Sequence, residues 1–152
     1  MNLILWRHAE AEDIAASDLA RQLTTRGRKQ AQASAKWLRA RLPDDALILA
    51  SPATRTVQTA ESLTDQYRVV REIAPDASAA AVLEAAGWPD GIAPTVVIVG
   101  HQPTLGHVAA RLLADSGASW SIRKSAIWWI ESRVRGSEGQ AVLRAMISPD
   151  LI

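Results

Sequence analysis

The sequence predicts a three-layer α/β domain, helices on both faces of a mostly parallel sheet with antiparallel strands at one edge. Three observations carry this expectation. Short apolar runs of strand length alternate with stretches of helical spacing through most of the chain, the pattern of successive β-α units. The strongest strand signal, Thr95-Val96-Val97-Ile98-Val99, is β-branched and apolar throughout, as a strand buried on both faces requires. The C-terminal part breaks the alternation with two strand-like runs in succession, which predicts an antiparallel hairpin.

Taken in order, Leu3 to Trp6 reads as a buried strand with Arg7 and His8 at its C-terminal edge. Asp13 to Leu23 is polar and mixed, a surface loop. From Gly27 the spacing turns helical, with Ala31, Ala35, Leu38 and Leu42 on one face, and Pro43-Asp44-Asp45 closes the run. Ala46 to Ala50 is a second buried strand. Ser51-Pro52 then reads as an N-cap followed by proline at the first helical position, with Val57, Ala60, Leu63 and Tyr67 facing inward. Arg68-Val69-Val70 has the length of a brief edge strand. Ala79, Val82, Leu83 and Ala86 share a helix face that Gly87 terminates. After Thr95 to Val99 and Gly100-His101-Gln102-Pro103, the residues Leu105, Val108, Ala109, Leu112 and Leu113 define a fourth helix. Ala126 to Ile130 and Ala141 to Ile147 are the hairpin strands, joined across the polar segment Ser132 to Gln140.

Bulk composition narrows the function. The 152 residues fit a single domain, 1–152, with no internal repeat or linker. Cysteine is absent, which excludes disulfides, thiolate metal sites and cysteine nucleophiles, and fits a reducing compartment. The net charge of +1 is far from the strongly basic balance of a nucleic-acid domain, so no nucleic-acid partner is expected. No apolar run approaches the ~20 residues of a membrane span. Arg7 and His8 interrupt the N-terminal apolar stretch too early for a signal peptide. A cytoplasmic, monomeric protein with no membrane partner is the expectation.

Ligands of open α/β sheets bind beyond the carboxyl ends of the strands. Three strand ends here carry groups suited to an anion: Arg7-His8, Ser51-Pro52 with Arg55, and Gly100-His101. Arg55 falls in a first helical turn, where backbone N–H groups already favour negative charge. Singly, an arginine or histidine at such a place is more often a surface or packing residue, and His107 is read that way. His8 and His101 both directly follow strong strand signals, but topology alone does not separate such positions from coincidence.

These segments resemble the histidine phosphatase, or phosphoglycerate-mutase-like, superfamily. Trp6-Arg7-His8-Ala9-Glu10-Ala11 is similar to its Arg-His-Gly/Ala motif, Ser51 to Ala60 to its second signature and Gly100-His101 to its third. Leu23-Thr24-Thr25-Arg26-Gly27 with Gln30-Ala31 is similar to its turn into the first helix. The short length and the run Asp18-Leu19-Ala20-Arg21-Gln22-Leu23-Thr24 resemble the minimal, SixA-like phosphohistidine phosphatase branch.

The resemblance implies a phosphatase in which His8 attacks phosphorus as neutral imidazole and is transiently phosphorylated. Arg7, Arg55 and His101 would surround the phosphoryl oxygens, with Arg21 as a further contact. The insertion that supplies the proton donor in many members of the superfamily has no counterpart in so short a chain. Asp18 is the candidate donor, with Glu10 and Asp76 behind it, against the alternative that all three are surface carboxylates. No metal and no cofactor are expected. The substrate expected is phosphohistidine on a protein. A phosphomonoesterase for a small metabolite is the alternative enzyme. A non-catalytic phosphate- or protein-binding module is the alternative of another class, to which Trp120 to Arg135, with three of the six tryptophans, lends some colour.

Overall fold

The computed structural model describes residues Met1 to Ile152. Its strands are β1 (Asn2–Arg7), β2 (Leu47–Ala50), β3 (Arg68–Val69), β4 (Thr95–Gly100), β5 (Ile127–Arg135) and β6 (Glu138–Ile147). Its helices are α1 (Thr25–Arg39), α2 (Thr54–Glu61), α3 (Ala79–Ala86) and α4 (Thr104–Ala114). The strands form one sheet in the order β3-β2-β4-β1-β5-β6. The pairs β3-β2, β2-β4 and β4-β1 are parallel, whereas β1-β5 and β5-β6 are antiparallel. This is the predicted three-layer architecture, with its antiparallel strands at one edge.

Period-2 alternation along the central strands explains the layers. Leu3 and Leu5 of β1, with Val96 and Ile98 of β4, point to one face, where α3 and α4 supply Val82, Leu83, Ala86, Leu105, Val108 and Ala109. Ile4, Trp6, Val97 and Val99 point to the other, where α1 and α2 supply Ala35, Leu38 and Ala60. Every residue of β4 is buried. Each large aliphatic side chain so buried contributes about 1.5–3 kcal/mol, so the sheet centre is the most firmly held part of the molecule.

The helix boundaries follow local chemistry. Thr24 caps α1, its Oγ1 accepting from Gly27 N at 2.9 Å and donating to Glu10 Oε2 at 2.8 Å. The helix therefore begins two residues before Gly27. Gly27 is required for another reason: a Cβ there would lie 2.0 Å from the Glu10 carbonyl oxygen. Ser78 caps α3 by accepting from Ala81 N, and Gly87 ends it in the left-handed conformation (φ 69°), as predicted.

Three expectations need correction. Ser51 is not a helix cap and Pro52 is not the first helical residue. The chain bends at Pro52 and Ala53, α2 starts at Thr54, and the Ser51 hydroxyl accepts from Ala53 N at 3.3 Å and is engaged by His101. The buried face of α2 is Arg55, Thr56, Thr59 and Ala60, with Val57 only half-buried. Finally, Ser132 to Gln140 is not a connector. β5 and β6 run on to Arg135 and Glu138, and the turn is the pair Gly136-Ser137, with Gly136 at φ 62°. The outer half of this ribbon is solvated, so its polar sequence carries no apolar alternation to betray a strand.

The tryptophans near β5 belong to packing. Trp129 lies edge-on to Trp37 at 6.3 Å and Trp128 against Trp120 at 6.0 Å. No helix is long and apolar enough to cross a membrane.

Candidate active site

Strand register decides what meets at the sheet's carboxyl edge. Arg7 pairs with Gly100 and Ala50 with Val99, so β1, β4 and β2 end at nearly one level. The residues that follow, His8, His101 and Ser51, are thereby brought together. Backbone bonds hold them: His8 N donates to the Gly100 carbonyl at 3.1 Å and Ser51 N to the Val99 carbonyl at 3.1 Å. Ala9 N donates to Thr59 Oγ1 of α2 at 3.1 Å. The His8 and His101 rings lie 5.3 Å apart, both buried.

A cavity of about 340 Å³ opens at this point, and Arg7, His8, Asp18, Arg21, Arg55 and His101 all line it. Asp76 lines it too. Glu10 does not, because its carboxylate is committed to Thr24 at the start of α1. Asp13, Gln102 and Lys124 line the cavity without having been singled out from sequence. Lys124 arrives from the segment before β5, where no strand end or motif marks it. His107 stays outside, donating from Nδ1 to the Ala118 carbonyl at 3.2 Å. No three His, Asp or Glu side chains are gathered as metal ligands.

The bonds of His8 fix its tautomer. Nδ1 lies 2.7 Å from the Ala9 carbonyl, which can only accept, so Nδ1 carries the proton. Nε2 is therefore the nitrogen with a free lone pair. The pKa of His8 is pushed down to about 4, first by burial and then by the positive charges of Arg55, Arg7 and Arg21, while the Ala9 bond pulls the other way. At neutral pH His8 is an unprotonated base. Burial, rather than the neighbouring Arg7 alone, is the main cause.

His101 is likewise neutral, its pKa pushed down to about 3 by burial, then by His8 and Arg55. Arg55 Nη2 donates to its Nδ1 at 3.3 Å, so Nε2 carries the hydrogen and donates to Ser51 Oγ at 2.7 Å. Arg55 is only 5% exposed, and it also donates from Nη1 to the Asp18 carbonyl at 2.9 Å and from Nη2 to Asp18 Oδ2 at 3.1 Å. Arg21 Nη1 donates to Asp18 Oδ1 at 3.0 Å. Arg7 Nη1 donates to the Ile122 carbonyl at 2.8 Å. The Nε atoms of Arg7 and Arg55 are buried with no partner, an unusual retention of donor capacity.

Asp18 is thus an anion held between two guanidinium groups. The Arg21 bond is the first cause that keeps its carboxyl below the usual carboxylate range, with Arg55 adding to it. Its side chain is 56% exposed, so these pairs contribute little to stability and act chiefly by orienting the arginines.

A pH prediction follows from the two histidines. Their folded pKa values, about 4 and about 3, lie below the ordinary 6.5. Between those values the unfolded chain binds more protons than the folded one, so the unfolding free energy falls as pH drops below about 6.5. Thermal midpoints recorded from pH 7 to pH 4 decline progressively, and His8→Asn removes part of that slope. An unchanged slope in the variant contradicts a buried, neutral His8.

Neutral histidines beside buried Arg55 and half-buried Arg7 and Arg21, at the carboxyl end of a parallel sheet, define an α/β enzyme that handles phosphoryl groups. The comparisons agree. The description of the histidine phosphatase superfamily (branch 1) matches residues 3–78, and the chain belongs to that superfamily. It is 31% identical over 120 residues to the phosphohistidine phosphatase SixA of Escherichia coli K12, covering 74% of each chain. It is 32% identical over 126 residues to the SixA homologue of Haemophilus influenzae, covering 74% of this chain and 77% of that one. Among solved structures, the protein histidine phosphatase SixA complexed with tungstate superposes with a TM-score of 0.78 at 25% identity, over 99% of both chains.

Proposed function

We propose that this chain removes the phosphoryl group from phosphohistidine on a protein, through transient phosphorylation of His8. The observation that carries this reading is the His8 tautomer. With its Nδ1 proton given to the Ala9 carbonyl, Nε2 presents a lone pair in a cavity lined by arginines. Nε2 attacks phosphorus, the bond from phosphorus to the substrate nitrogen breaks, and water then releases inorganic phosphate from His8. Covalent catalysis of this kind divides one difficult displacement into two easier ones.

Arg7, Arg55 and Arg21 neutralise and orient the phosphoryl oxygens, where charge spreads in the transition state, and neutral His101, bonded to Ser51 and Arg55, positions Arg55 beside them. Arg55 supplies a forked contact and Arg7 and Arg21 further N–H donors. The sequence pointed to Asp18 as the proton donor. Its two arginine partners favour the carboxylate, so we assign it the positioning of Arg55 and Arg21. A phosphohistidine ring whose other nitrogen is protonated leaves as neutral imidazole and needs no acid. An alkoxide leaving group does need one, and Asp13 and Asp76 are the remaining carboxyls on the cavity wall. The leaving-group chemistry therefore favours phosphohistidine over a phosphomonoester. The names of the two curated relatives agree with this substrate, and tungstate is an oxyanion of phosphate's shape. We read the working unit as residues 1–152 acting as a monomer without a metal, since all the groups invoked come from this one chain.

The test is a side-by-side assay of a phosphohistidine protein and a panel of sugar and nucleotide phosphates. The expected result is hydrolysis of the phosphohistidine protein with at most slow turnover of the esters. Efficient turnover of one ester, with phosphohistidine left intact, assigns the chain to small metabolites instead.

A further inference from the structure

Beside the catalytic cavity lies a second, larger cleft of about 600 Å³ whose lining is mostly cationic. Arg26 and Lys29 of α1 form one wall, and Arg123 and Lys124 of the segment before β5 form the other. Arg7 and Lys124 line both this cleft and the catalytic cavity, so the two are continuous. The chain's net charge is only +1, so this concentration of positive charge is local rather than a consequence of composition.

The cations are largely unspent. Arg26, Lys29 and Lys124 form no ion pair with any carboxylate. Arg123 has one, Asp150 at 3.7 Å, and both side chains are well exposed. Arg26 sits in the first turn of α1, where the helix dipole disfavours positive charge and the turn itself holds no acidic residue. Helix stability therefore does not explain the residue choice.

The second wall is firmly built. Ser34 of α1 donates from Oγ to the Ser125 carbonyl at 2.6 Å, Ser125 Oγ donates to Ser34 Oγ at 2.9 Å, and Trp6 Nε1 donates to Ser125 Oγ at 3.2 Å. These buried bonds hold Ser125 at φ 60°, a conformation uncommon outside glycine. They fix the spacing between Lys124 and α1.

We propose that this cleft docks an acidic surface of the protein substrate and guides its phosphohistidine to His8. The inference rests on the phosphohistidine reading given above and adds the chemistry of the partner. Charge complementarity argues for carboxylates. Only one lining residue is hydrophobic and none is aromatic, so there is no platform on which a nucleotide base would stack. Complementary charge of this kind raises encounter rates and selects partners, and it weakens with salt.

The experiment uses two phosphohistidine peptides of equal length, one flanked by Asp and Glu, the other by Ser and Gln. Phosphoramidate, which has no flanks, reports basal turnover. The parent protein is expected to prefer the acidic peptide by about tenfold in kcat/KM at low salt, the preference residing in KM and fading at high salt. The variant R26E/K29E is expected to lose that preference while hydrolysing phosphoramidate at the parent rate. Equal kcat/KM for the two peptides in the parent, or a preference that survives in R26E/K29E, overturns the docking proposal while leaving the substrate class intact. Inhibition by a single-stranded oligonucleotide at concentrations where poly-glutamate has no effect also overturns it, assigning the cleft to nucleic acid. If neither peptide is hydrolysed, the phosphohistidine reading itself fails and the docking proposal with it.

Discussion

His8→Asn is expected to lower kcat for phosphohistidine by at least about a thousandfold, because removing the nucleophile of a covalent mechanism costs several orders of magnitude. Asparagine is the informative replacement. Its amide N–H can still donate to the Ala9 carbonyl, which now bonds His8 Nδ1 at 2.7 Å, but it offers no lone pair in place of Nε2. Packing around a residue that is 7% exposed changes little, so thermal unfolding at neutral pH stays close to that of the parent. Stability measured with the kinetics separates lost chemistry from lost fold. A variant that folds and turns over at the parent rate removes His8 from the mechanism.

The second large effect belongs to Arg55. Its guanidinium reaches Asp18 and His101 at once and lies on the wall of the catalytic cavity. Arg55→Ala is expected to reduce kcat/KM by about a hundredfold to a thousandfold, the usual cost of losing one oriented donor at a developing oxyanion. Arg55→Lys should recover only a small part of this. It restores a charge but not the planar fork, and an ammonium cannot serve His101 Nδ1, Asp18 and a phosphoryl group in one geometry. Because Arg55 is buried, the alanine variant also loses stability, and the lysine variant guards against misreading that loss. A lysine variant with full activity reduces Arg55 to a point charge. In the alanine variant His101 loses one of the charges that lower its pKa, so it titrates at higher pH than in the parent.

Much of this site was legible in the sequence because it is built at strand ends. The middles of β1 and β4, Leu3 to Trp6 and Val96 to Val99, announce themselves as short apolar runs, and a side chain just beyond such a run faces the ligand crevice. Arg7, His8 and His101 were placed for that reason, and Arg55 through the first turn of the helix that follows β2. What escaped was set by tertiary pairing. Ser51 has the composition of a helix cap, but its hydroxyl serves His101, fifty positions away in the chain. Asp18 and Glu10 are both carboxylates within segments that resemble the family's motifs, and only their partners tell them apart. Asp18 faces two arginines in the cavity, whereas Glu10 is tied to Thr24 outside it. Lys124 left no local signal at all, since it is placed by the Ser34–Ser125–Trp6 bonds of a loop. The hairpin was read too short because its outer half is solvated on both faces, where periodicity gives no warning.

The low pKa of His8 links these points. Burial at the strand end makes the imidazole a neutral base, the Ala9 carbonyl selects which nitrogen is free, and the surrounding arginines make that nitrogen's environment suited to an anion. The same burial costs stability in acid, so the pH dependence of unfolding and the chemistry of the site have one origin.

The most direct test of the central claim is to trap the phosphoenzyme. The parent protein is mixed with radiolabelled phosphohistidine protein, quenched in base within the first turnover, and digested for mapping. The account predicts a label that is stable in base, labile in acid and located on His8, and absent from His8→Asn. A label on any other residue, or turnover with no labelled histidine, contradicts it.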